Sequence, residues 1–302
     1  MTLGTNVFAA QYVAIQNKAE SMIGTGASTL GYGQSVQSSD VFAGNTITKA
    51  QWDLIKFDII NIKFHQDGNI PPVVTVNVGD PVGFGPSSPN TNYDILLEDA
   101  LAKRFLIAGS QSVVAAKASQ TYSTPWSVQA QATLTVTFVD ANQGRYFFNS
   151  GGKIRFNSSL IGAVTTPQIT AWINFLNSVG TQGFGADTDP TVNYYTLTNS
   201  YQTYYQSFLS SPYSANSYRL EARTNVANNS TGTATQLDLR VTLLDSYIDP
   251  DTITGNVEPP GDAVNGTLTI SVSELKASGQ LQPAGTFSIT SPSYSLSSIS
   301  AS

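Results

Sequence analysis

The chain has 302 residues, of which only 11% are Asp, Glu, Lys or Arg, against roughly 25% in an average soluble domain. Ser, Thr, Asn, Gln and Gly take their place, so the surface is wetted by neutral polar groups, and the length suits one large domain or a few small ones. A formal charge of -6 argues against nucleic-acid binding, which needs a basic stripe, and the absence of cysteine excludes disulfides and thiolate metal sites.

Residues 1–25 lack the basic start and apolar run of a secretory leader, and no apolar run is long enough to span a bilayer. The expectation is a chain made in the cytoplasm with no membrane span. Phe8, Tyr12, Ile15, Ala19 and Met22 recur at helical spacing, and the glycine-rich run from Gly24 to Gly33 ends that helix. A second helix begins near Thr48, a good N-cap, carries Trp52, Ile55, Ile59 and Ile62 on one face, and ends near Asp67-Gly68. The two resemble copies offset by forty residues: Gly4/Gly44, Val7/Ile47, Ala10/Ala50, Gln11/Gln51, Tyr12/Trp52 and Ile15/Ile55. This pattern predicts a duplicated turn-helix unit whose helices pack on each other.

A Val-rich strand is expected over Val73 to Val78, then a loop through Gly83-Phe84-Gly85-Pro86. A third helix is expected from about Asn92 to Gly109, on the period of Tyr93, Leu96, Leu97, Ala100, Leu101 and Phe105. The alternation Val128, Ala130, Ala132, Leu134, Val136, Phe138 predicts a half-buried strand over Trp126 to Asp140. A helix from Pro167 to Val179 follows, with Thr166 as cap and Ile169, Trp172, Ile173 and Leu176 on its apolar side. Beyond a turn at Gly183-Phe184-Gly185, the tyrosine-rich stretch leaves Ser200 to Ser210 open between helix and strand. Tyr218 to Val226 and Gln236 to Tyr247 read as paired strands joined across Asn228 to Gly232, and Leu268 to Val272 as another. The Ser-rich tail from Pro283 to Ser302 keeps enough apolar residues to dock. These elements give an α+β fold: a mainly helical region over 1–120 and a β-rich, antiparallel, sandwich-like body over 121–302 with one inserted helix.

The densest chemistry lies from Gly144 to Leu160. Asn149-Ser150-Gly151-Gly152 suits a tight turn between two aromatic-rich runs, so the local expectation is a β-hairpin. Phe147, Ile154 and Phe156 would then face the core, while Tyr146, Phe148, Lys153 and Arg155 would form an aromatic and cationic interface for carboxylates of a neighbouring helix or subunit.

No catalytic, cofactor or metal site is expected. His65 is the only histidine and reads as a helix-end residue meeting the dipole. The carboxylate clusters Glu98-Asp99, Asp187/Asp189, Asp245/Asp249/Asp251 and Glu258/Asp262 could serve glycoside hydrolysis only if paired across a groove, and those in loops read as turn formers. The glycine pairs at Gly31, Gly83 and Gly183 lack the rest of a nucleotide fingerprint. Sequons at Asn157, Asn228 and Asn265 are chance matches in so polar a chain. Tyr194, Tyr195, Tyr201, Tyr204, Tyr205, Tyr213 and Tyr218 fit a core ladder, a subunit interface or a glycan groove.

The run from Phe147 to Phe156, Phe-Phe-Asn-Ser-Gly-Gly-Lys-Ile-Arg-Phe, resembles the FFNSGG-x-IRF signature of virion structural proteins of tailed bacteriophages, marine and cyanobacterial ones especially. Gly31-Tyr32-Gly33-Gln34 and His65-Gln66-Asp67-Gly68 resemble the same family, and the likeness covers about residues 1–160. It implies a non-enzymatic assembly subunit of the tail, neck or fibre apparatus, located in the virion. Its partners would be copies of itself and other virion proteins, with a host-surface glycan as a further possibility. A capsid decoration protein, or a virion-associated glycan-binding or glycan-cleaving protein, are the alternatives.

Overall fold

A computed structural model describes residues 9–42, 45–77, 89–162, 166–247 and 263–302. The architecture is α+β: among the described residues there are five α-helices and two antiparallel sheets, with 28% helix and 32% strand. Helices α1 (Ala9–Ile23), α2 (Lys49–Asp67) and α3 (Pro89–Ala102) form the N-terminal layer. Their apolar stripes meet at aromatic edges, with the Tyr12 ring 5.2 Å from Trp52 and Trp52 5.6 Å from Tyr93. The matched pair Tyr12/Trp52 is thus the contact between the two similar helices; Gly4, Val7 and Gly44 of the offset pattern lie outside the described residues. Thr48 caps α2 with a full capping box, and Gly68 ends it at φ 74°.

Three expectations in this half change. Val73 to Asn77 is extended but pairs in no sheet: the Asn92 side chain accepts from the Val74 N–H and the Tyr93 hydroxyl donates to the Val74 carbonyl. Side chains of α3 thus supply the partners that a neighbouring strand would, and Val78 and the Gly83 loop lie outside the described residues. Helix α3 stops at Ala102, because Gln66 takes the Ala100 carbonyl and Tyr32 the Arg104 carbonyl, turning the chain across the end of α2. Strand β1 (Ser112–Tyr122) has no counterpart among the sequence expectations, since its burial does not alternate.

In the body, β2 (Gln129–Thr137) leads into α4 (Ala141–Asn149), then β3 (Lys153–Ile161), α5 (Pro167–Val179), β4 (Thr181–Phe184), β5 (Gln202–Phe208), β6 (Ser217–Thr224), β7 (Gln236–Leu244), β8 (Thr267–Gln280), β9 (Thr286–Ser288), β10 (Ser293–Leu296) and β11 (Ser300–Ala301). One sheet runs β1-β8-β3-β4 with β9 on β8; the other runs β10-β2-β7-β6-β5 with β11 on β2. Strand β1 pairs with β8, so the helical layer's successor is already part of the body. Inward residues Ile154, Phe156 and Leu160 of β3 join Leu220, Leu239 and Leu134 of the other sheet in one core, and Ser158 Oγ bonds Tyr218 Oη between the sheets at 3.2 Å. The tail docks as expected, as β9 to β11. Ser200 to Ser210 resolves as strand. Strand β8 outruns its expected end because Glu274 and Lys276, which interrupt the apolar alternation, are held by Lys117, Tyr294 and Ser291.

The expected hairpin is a helix-turn-strand unit. Asp140 caps α4 by accepting from the Gln143 N–H at 2.8 Å, and Asn149-Ser150-Gly151-Gly152 is the helix C-terminus. Gly151 sits at φ 81° and the Gly152 N–H donates to the Phe147 carbonyl at 2.9 Å, the six-to-one bond of a Schellman end. A Cβ on Gly152 would lie 2.4 Å from that carbonyl oxygen. Turn-forming residues serve a hairpin and a helix stop alike, and here the cap decides for the helix. Phe147, Ile154 and Phe156 are fully buried, as expected of core residues.

Candidate functional site

Gly31 to Gln34, His65 to Gly68 and Phe147 to Phe156 meet in one junction between the helical layer and the body. Gly24 to Gln34 folds back over the end of α1, with the N–H groups of Tyr32, Gly33 and Gln34 donating to the carbonyls of Met22, Gly24 and Ile23. Its own carbonyls point at α4. Asn149, with no exposed surface, donates from Nδ2 to the carbonyls of Leu30 at 2.9 Å, Ser28 at 3.2 Å and Gly31 at 3.2 Å. Arg145 donates to Thr25 at 3.1 Å and approaches the Ser28 and Leu30 carbonyls at 3.4 Å. Carbonyl dipoles rather than a carboxylate therefore face this buried guanidinium. Ser28 takes a left-handed φ of 51°, which turns its carbonyl inward to the Tyr195 hydroxyl at 2.8 Å.

The glycines set the distance of approach. Gly33, at φ 67°, lies under the Tyr146 ring, where a Cβ would come within 2.3 Å of the ring. His65 is fully buried at the end of α2. Its Nε2 donates to the Ser150 carbonyl at 3.0 Å and its ring stacks on Phe287 at 4.2 Å. His65 sits in the last turn of α2, as the sequence expectation has it, and burial brings its pKa down to about 4, so the imidazole there is neutral. Gln66 donates to both the Tyr32 hydroxyl and the Ala100 carbonyl at 2.8 Å. Gln34 forms two reciprocal bonds of 3.0 Å with the backbone of Ser288, and Asn61 pairs in the same way with Gln282. Three side-chain amides of the helical layer thus hold carbonyls or peptide groups elsewhere in the chain.

The expected interface set does not share one face, because Tyr146 and Phe148 are helical. Phe148 is enclosed between Phe138, Phe147 and Tyr194 and Tyr146 is 8% exposed. Neither ring lies beside the cations on an open surface. Lys153 and Arg155 lie half-buried on β3, their stems over Gly183 of β4. Lys153 binds Asp187 Oδ2 at 2.9 Å, a loop carboxylate of the same chain. Arg155 has no ion-pair, hydrogen-bond or ring partner among the described residues.

Of the other candidates, Asp189 accepts from the Thr191 N–H and hydroxyl, an Asx turn that holds its carboxyl below the usual range. Asp99 pairs with Lys63 and Lys103, and Glu98 with Lys18. Asp245 accepts from Gln168, while Asp249, Asp251, Glu258 and Asp262 lie outside the described residues. Among the described residues no group of three or more His, Asp or Glu is placed to hold a metal ion, and no helix is long and apolar enough to cross a membrane. Tyr194, Tyr195 and Tyr218 are core residues; burial pushes the Tyr194 phenol up to about 12. Tyr205 and Tyr213 instead line a cavity of about 480 Å³ beside α5. Sequence reasoning missed the roles of Arg145, Asn149, Gln34 and Asn61. An arginine and an asparagine bracketing three aromatics in so weakly charged a chain are the signal that marks the first two.

No protein-family model matches the chain, and no curated protein and no solved structure is significantly similar to it.

Proposed function

We propose that the chain is a non-enzymatic structural subunit of a tailed-phage virion, in the tail, neck or fibre apparatus, acting as a homo-oligomer with other copies of itself and other virion proteins. One observation carries the reading. The three stretches that resemble the phage family, Gly31 to Gln34, His65 to Gly68 and Phe147 to Phe156, are brought together in the fold as a buried framework. A resemblance that rests on residues joining two layers marks a shared scaffold, not a shared active centre. Within them Asn149, His65 and Gln66 donate to backbone carbonyls, as a scaffold requires.

Composition supports the same reading. The outward side of the second sheet sets Gln131, Thr133 and Thr135 beside Arg219, Glu221, Arg223, Asp238 and Arg240, whose charges are already paired within the chain, so a symmetric copy that covers it meets, among the described residues, ion pairs and neutral groups and no lone carboxylate. Solution mass and co-sedimentation with particles test the proposal. A strictly monomeric protein that also fails to co-sediment overturns it. A label imaged on the head in place of the tail would make the chain a decoration protein.

A further inference from the structure

We propose that the groove between α5 and β5 is a binding site for a neutral oligosaccharide. One wall is α5, with Asn174 and Ser178 a helical turn apart; the other is the end of β5, with Tyr205, Ser207 and Phe208, and Ser210, Ser211 and Tyr213 close one end. The volume of about 480 Å³ lies inside the range of small-ligand clefts. The chemistry is paired: Phe175, Tyr205, Phe208 and Tyr213 line the groove with aromatic side chains, while Asn174 and the serines bring amide and hydroxyl groups to the same lining. A pyranose has this duality, with an apolar C–H face for a ring and a rim of hydroxyls for neutral donors and acceptors.

The lining fixes the ligand class further. Among the described residues that form it, none is Asp, Glu, Lys, Arg or His, so an acidic or basic sugar would be desolvated with no counter-charge. Glycoside hydrolysis needs two carboxylates across the bond, and of the sequence candidates Asp187 and Asp189 belong to the turn beside Lys153, while Glu98 and Asp99 pair with lysines of the helical layer. Among the described residues the lining supplies no such pair, so the proposal is one of binding. Strand β5 is also an edge strand, which makes a second copy's strand the competing occupant. A register irregularity between Thr203 and Tyr205 interrupts its ladder, and bulged edges resist continuous strand addition.

Phe208 supplies the test, because the residue is 57% exposed and its ring can be removed without opening the core. The full chain is titrated, by saturation-transfer NMR and calorimetry, with triacetylchitotriose, maltotriose, cellotriose and an acidic trigalacturonate. The expected result is saturable millimolar or tighter binding of at least one neutral trisaccharide. Phe208→Ala and Asn174→Ala should each weaken it, the first roughly five- to tenfold. Phe42→Ala, at another exposed ring, should leave it unchanged, and circular dichroism confirms that each variant is folded. Failure of all three neutral sugars, binding of the acidic one alone, or indifference to Phe208→Ala overturns the proposal. So does self-association that Phe208→Ala abolishes, which would give the groove to a second copy. Particles that incorporate Phe208→Ala normally keep the assembly reading intact whichever way the sugar result falls.

Discussion

Replacing Asn149 by alanine removes the donor that ties the Gly24 to Gln34 turn to α4. The side chain reaches three carbonyls within 3.2 Å. The Ser28 carbonyl would keep Tyr195 as a donor, whereas Leu30 would keep only the 3.4 Å approach of Arg145 and Gly31 would lose its side-chain donor. Two acceptors left poorly satisfied cost about 1–3 kcal/mol each, so the expected loss is about 2–6 kcal/mol, a large part of the roughly 5–15 kcal/mol of a typical domain. Urea unfolding measures the total. Native-state hydrogen exchange locates it, since the Tyr32, Gly33 and Gln34 amides should lose protection before those of β7. A loss below about 0.5 kcal/mol, or exchange protection unchanged over 32–34, would refute the junction.

His65 should make stability fall with acidification. Its folded pKa of about 4 lies below the ordinary 6.5, so the unfolded chain takes up the proton first as pH drops through 6.5. The contribution, on the order of 3 kcal/mol, is whole above that pH and lost by about pH 4; the wild-type chain should lose more stability than His65→Gln across that window, and parallel curves would contradict it. Glu274→Ala should cost about 1–3 kcal/mol by taking the acceptor from the Tyr294 and Ser291 hydroxyls, Lys117 keeping access to water, read by thermal melting together with exchange at β10; an unchanged melt would refute the link. Arg155→Glu should leave chain stability within about 0.5 kcal/mol but reduce incorporation into particles, and normal incorporation would mean that β3's outward side faces solvent.

Periodic stretches are legible in the amino-acid order itself. Trp52, Ile55, Ile59 and Ile62 fix α2, and Leu237, Leu239, Val241 and Leu243 fix β7, because one buried face imposes its period on the sequence. Thr166 with Pro167 marks the start of α5, and Thr166 does cap it. Local chemistry with two structural solutions is not legible in this way. Asn149 to Gly152 has the composition of a hairpin turn and of a helix stop, and only the Asp140 cap and the close packing of Phe147 and Phe148 separate them. Strand β1 leaves no signal because an edge strand half open on both faces carries no alternation; its long partner β8 specifies it. The junction itself shows in the sequence only as three motifs. That they meet depends on contacts between residues more than a hundred positions apart, such as Asn149 with Leu30.

A particle reconstruction that resolves this chain tests the central claim most directly. The account predicts several copies related by symmetry in the tail, neck or fibre apparatus, each with Asn149 and His65 enclosed within its own subunit and the outward side of β3 or of the second sheet against a neighbour. Particles that lack the chain, or a subunit in which Asn149 and His65 open onto a ligand, would contradict it.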